Sequence, residues 1–179
     1  MNPQDPDQGP AAGGDEQATP ALFDGRFDGR ETFTSILRAA VGHAAAAGWR
    51  EMVWCDADFE DWPLGERAFE AALLAWSRTG RRLTLLACRY DAVVDRHARF
   101  VRWRRDWSHI VEARVLAGVH AQDCPSAWWT PDWVLHRIDP ERCHGVCTRD
   151  ASRRVALREN LDEFLRRSAP GFPAVTLGL

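Results

Sequence analysis

Lysine is missing from this chain: all 23 basic residues among its 179 are arginine. That absence excludes a Walker A phosphate loop, whose lysine holds the terminal phosphates, and with it Schiff-base and kinase-type chemistry. No GxGxxG follows a strand-like segment and no GxSxG elbow is present, so the usual nucleotide and hydrolase signatures are missing too. Six histidines offer triads only on paper, and His97 and His109 read as structural side chains. Neither a catalytic residue nor a cofactor is implied.

Long apolar runs are also lacking. None approaches the roughly 18 to 20 residues that cross a bilayer, so no membrane partner is expected. Segment 1–22 begins MNPQDPDQGPAAGGDEQATP, with neither the basic start nor the apolar core of a signal peptide. Its acidic, Pro/Gly-rich composition reads as a disordered leader, followed by a single α/β domain over 23–179 with an extended tail. The five cysteines are odd in number and scattered, a poor disulfide framework that suits a reducing, cytoplasmic setting. A formal charge of −3 supplies no global pull toward nucleic acid.

Periodicity supplies the elements. Asp28 is placed to cap a helix in which Phe33, Ile36, Leu37, Ala40, Val41 and Ala44 recur at helical spacing until Gly48. EMVWC (51–55) and RLTLLA (82–87) read as buried strands, and Pro63 opens a second helix carrying Phe69, Leu73 and Trp76 inward. Asp91 starts a third helix with Val93, Val94, Phe100, Val101 and Trp107 inside. A strand over 109–116, a strand pair flanking Pro131-Asp132 and a helix over about 151–168 complete the order. Helical crossovers between strands predict a mixed, mainly parallel sheet flanked by helices.

Four clusters are candidates for chemistry. CDADFED sets Asp56, Asp58, Glu60 and Asp61 beyond the first strand, where carboxylates either hold Mg²⁺ for phosphoester hydrolysis or simply solvate a loop. CHGVC offers Cys143, His144 and Cys147, a spacing wrong for the usual zinc pairs, which reads as separate loop thiols with metal binding left open. RHARFVRWRRDW (96–107) mixes five arginines, Arg99 and Arg102 among them, with Trp103 and other rings. It is either a phosphate-tracking surface or an ordinary amphipathic helix. PSAWWTPDW gathers Trp128, Trp129, Asp132 and Trp133.

The element order, the acidic loop after EMVWC and the passage GRRLTLLACRYDAVVDRHARF resemble one half of a phospholipase D-like fold, over roughly residues 30–168. More closely, they resemble its non-catalytic versions in proteobacterial proteins. The family's His-x-Lys-x4-Asp motif, with its acid placed at Asp132, finds Pro125 and Ala127 at the other two positions, and His136 is followed two residues on by Ile138. The resemblance therefore implies a catalytically silent module. Its expected role is self-association or docking of a protein partner through Trp128, Trp129, Asp132, Trp133, Arg99, Arg102 and Trp103, with nucleic acid not expected as a partner. A metal-assisted phosphohydrolase using Asp56, Asp58 and Asp61 stands as the alternative, and nucleic-acid binding along the 96–105 arginine helix as the second.

Overall fold

The sequence writes strong helix and strand periods into its first half, and the computed structural model, which describes residues 21–174, builds them into one eight-stranded sheet. Residues 1–20 of the expected leader and 175–179 of the expected tail lie outside the described residues. Strand β1 (Gly25–Phe27) leads into α1 (Arg30–Ala47), β2 (Glu51–Asp56), α2 (Arg67–Ser77) and β3 (Arg82–Ala87). Next come α3 (Asp91–Arg96), α4 (Ala98–Asp106) and β4 (Val111–Val115). The second half holds β5 (Ser126–Trp129), β6 (Val134–Asp139), β7 (His144–Thr148), α5 (Ala151–Arg166) and β8 (Ala169–Pro170). The spatial order is β1-β7-β6-β5-β2-β3-β4-β8.

The sheet is mixed, as expected, but it is not mainly parallel. Only β2–β3 and β3–β4, joined through helices, run parallel among the described strands. The other five pairings are antiparallel, β5 on β2 among them. The physical reason lies in the connections: β5, β6 and β7 are separated by four-residue links, too short for a crossover, so they must meander. The segment compared with the phospholipase D-like motif, Pro125 to Asp132, is largely β5.

Several boundaries also move. Asp28 does not cap α1; Gly29 precedes it at φ 85°, and the helix ends at Gly48, left-handed at φ 67°, as its sequence foretold. Pro63 sits in a turn closed by Glu66 N–H to the Pro63 carbonyl (3.1 Å), with α2 beginning only at Arg67. The third helix breaks at His97 into α3 and α4. This break shifts the helical phase, so that Trp103 and Arg104 turn inward while Val94 is 53% exposed. CHGVC is mostly strand β7 rather than loop.

Helices α1 to α4 pack on one sheet face, whereas α5 covers the other through Leu157 and Leu161, joined there by Leu116 and Cys124 from the connection between β4 and β5. The first face holds an indole cluster. Trp54 on β2 stands in register with Trp128 on β5, their rings 4.8 Å apart, and Trp62 and Trp133 pack around Trp128 at 6.0 and 6.2 Å. Such rings add geometric preference to a large buried area. Gly145 of β7 shows how tight this face is, since a Cβ there would meet the His136 carbonyl and the Phe27 ring and lie 2.8 Å from Arg137 Cα.

Trp128→Ala is expected to lower unfolding free energy by about 3–5 kcal/mol in urea titrations, because the rigid ring cluster cannot collapse into the space left. Gly145→Ala should also destabilise, since backbone rather than a flexible side chain stands in the way.

Candidate functional site

Asp56 closes β2 with its carboxylate directed into the core, 2% exposed. One oxygen accepts backbone N–H bonds from Asp58 (3.3 Å) and Phe59 (3.0 Å). The other accepts from the Trp62 indole (3.1 Å), the Ser126 hydroxyl (2.6 Å) and Arg137 (2.8 Å). Arg137 comes from β6, lies over the Phe33 ring at 4.4 Å and also bonds Asp61 at 3.0 Å. Asp61 further pairs with Arg30 (2.8 Å), and Asp58 with Arg89 (2.6 Å). The acidic loop is thus a wound and neutralised structure. Its carboxylates spend their lone pairs on the protein, and no cluster of three or more His, Cys, Asp or Glu among the described residues is arranged to hold a metal ion.

The same holds at CHGVC. Cys147 joins the core on the indole face, while His144, on the opposite face of β7, lies 3.8 Å from Asp28. Burial pushes the Cys147 thiol up, and burial followed by Cys124 pushes Cys88 to about 12, so neither is a ready thiolate.

Of the aromatic residues offered as a contact surface, Trp128, Trp133 and Trp103 are all buried. The Trp103 indole donates to Ser77 Oγ (3.0 Å) and the Trp133 indole to the Phe23 carbonyl (2.9 Å). Trp129 is half-buried on the α5 face, where its indole donates to the Arg154 carbonyl (3.0 Å) and Arg158 stacks on its ring at 4.5 Å. Asp132 is exposed at the tip of the hairpin that Thr130 and Trp133 close. These residues do not converge on one surface.

The arginine helix does present one. Arg96, Arg99, Arg102 and Arg105 recur every third residue along α3 and α4, with side chains between 48% and 61% exposed. Phe100 and Trp103 point inward beneath them. Arg96 pairs with Glu60, and Arg99 donates to the Gly65 carbonyl (2.9 Å). Glu70 of α2 is shared between Arg99 (3.7 Å) and Arg102 (3.9 Å), beyond hydrogen-bonding distance from either. The fifth arginine, Arg104, is buried, with one nitrogen on the Phe172 carbonyl (3.3 Å), and burial lowers its pKa.

Two measurements test this electrostatic arrangement. Arg137→Ala, which strands buried Asp56, should cost about 3–5 kcal/mol of stability, whereas Arg89→Ala at the exposed Asp58 pair should leave the urea midpoint near that of the parent. Burial also depresses the His97 and His136 pKa values below the ordinary 6.5. The unfolded chain then takes up protons first, so stability is full above pH 6.5 and declines as pH falls from there toward the folded-state values. His136→Gln should flatten that decline.

No family model and no curated protein matches the chain. Among solved structures it is similar to TrmBL2, described as an archaeal chromatin protein that shows a novel mode of DNA binding, with a TM-score of 0.59 and 12% identity. The likeness covers 82% of this chain and 53% of that one, so the chain spans about half the length of this neighbour, and what is shared at such identity is the fold. The expectation of a protein-docking module for which nucleic acid is not an expected partner is corrected on two grounds: a solved protein sharing this architecture is described as binding DNA, and most of the rings meant for docking lie in the core.

Proposed function

We propose that the chain is a nucleic-acid-binding α/β domain that engages phosphates through Arg96, Arg99, Arg102 and Arg105. The observation carrying this reading is the exposed guanidinium ridge of α3 and α4, whose central acid, Glu70, is divided between two arginines at 3.7 and 3.9 Å. A phosphate oxygen offers those arginines the short, charge-assisted bonds that Glu70 does not make. Guanidinium groups are also the side chains best matched to phosphate in geometry. The fold likeness to a DNA-binding chromatin protein supports the same reading.

The ridge also defines the mode. Phe100 and Trp103 are buried beneath it, so no ring on this helix is free to stack on a base. Recognition is therefore of the sugar-phosphate backbone, which positions without reading sequence. The net charge of −3 and the acids beside the ridge make binding weak except at low salt. No helix among the described residues is long and apolar enough to cross a membrane.

Fluorescence anisotropy with a labelled random-sequence duplex provides the test. Four phosphate contacts give a slope of about −3.6 in log K against log salt, independent of base sequence. The triple variant Arg99→Glu, Arg102→Glu, Arg105→Glu should bind more than about tenfold more weakly and reduce the slope to about −1. An unchanged anisotropy at low salt, or equal binding by the triple variant, removes the proposal.

A further inference from the structure

The geometry points to a second site on the opposite side of the sheet, a cleft for a small organic carboxylate between β6, β7 and α5. Between α5 and the β4–β5 connection, which share the covering of this face, the sheet beyond Leu157 forms a cleft of about 560 Å³. That volume is in the range of small-molecule sites. His136 of β6, its cross-strand partner Val146 and Thr148 two residues further along β7 have side chains on this face and form its floor; Arg153, Leu157, Asn160 and Phe164 descend one side of α5 to form its wall. Leu157 and Phe164 belong to the apolar stripe by which α5 packs on the sheet, whereas Arg153 and Asn160 are exposed and stand at the mouth of the cleft.

Those polar groups are unspent. Asp150, three residues before Arg153, accepts from the Ser152 hydroxyl (2.5 Å) and the Arg153 backbone N–H (2.9 Å), and its pKa is lowered by these bonds and, to a smaller extent, by the Arg153 charge. The Arg153 guanidinium makes no hydrogen bond or ion pair among the described residues, and neither do the His136 ring or the Asn160 amide. Thr148 Oγ1 accepts from the Asp150 N–H (3.1 Å), which leaves its hydroxyl proton to donate outward. The Arg137 guanidinium, by contrast, is directed to the other sheet face, and the only carboxylate in the lining is Asp123.

A single guanidinium flanked by neutral donors, above Leu157 and Phe164, matches one negative charge carried on an apolar body. A planar carboxylate takes Arg153 bidentately and leaves its hydrocarbon part against the helix. A phosphate dianion would find too little positive charge. The site is independent of the arginine ridge, which belongs to helices on the other face.

The test uses the full chain with 3-phenylpropionate as probe and 3-phenylpropionamide as its uncharged match. The His136 ring-proton resonance and titration calorimetry are the readouts. Expected is a saturable His136 shift with the carboxylate, binding about tenfold weaker for the amide, and a similar loss in Arg153→Ala. Ala156→Trp, at an exposed position in the wall, should occlude the cleft and abolish binding in a folded protein. The triple ridge variant should bind the probe as the parent does. Absence of saturation up to about 10 mM, equal binding of acid and amide, or an unaffected Arg153→Ala overturns the inference.

Discussion

The buried pair of Asp56 and Arg137 is the constraint on which the second half of the sheet depends. Taking both charges out of water is costly, and only a full set of hydrogen bonds makes such a pair tolerable. The fold supplies that set from the turn after β2, from Trp62, from Ser126 at the start of β5 and from β6. In doing so it holds the β5–β6 hairpin at one height beside β2. A slip of one residue would carry Arg137 to the opposite face and leave Asp56 alone in the core. Because Ser126 and Arg137 are direct partners across the hairpin, a single carboxylate gathers both strands at once.

This pair also explains why the acidic loop is structural. Four acids in six residues suggest a cation site when read in sequence, but each of Asp56, Asp58, Glu60 and Asp61 is met by an arginine from elsewhere. Without lysine, every one of those partners is a planar fork that bonds carboxylates directionally. On α4, Arg99 and Arg102 face solvent around one shared glutamate and Arg105 lies 3.7 Å from Asp106, and there the same chemistry is available to a phosphate.

Legibility in the sequence followed the range of the interactions that set each feature. Helix α1, strand β3 and helix α5 were readable because one-face periodicity and local end signals such as Gly48 act within a few residues. The antiparallel pairing of β5 with β2 was not, since the Asp56–Arg137 contact that goes with it joins residues 81 apart. Strand β7 was hidden by its thiols and imidazole, which drew attention to metal spacing although His144, Val146 and Thr148 alternate with Gly145 and Cys147. Arg99 and Arg102 were visible as candidates from the mixture of arginines and rings in RHARFVRWRRDW. Trp103 was misplaced because the break at His97, which turns it inward, carries no glycine or proline to announce it. The open cleft beside α5 had a faint signal in Val134, His136 and Ile138, an alternating strand face with one polar member.

The edges of the sheet carry a consequence for how another molecule can approach. Strand β1 spans three residues over β7, and β8 spans two over β4, its second residue being Pro170, which has no N–H to offer. Margins this short and interrupted give an incoming chain almost no ladder to extend, the usual natural defence against runaway strand addition. Visitors must therefore meet side chains rather than backbone, and discrimination among them falls to the charge and shape that individual residues display.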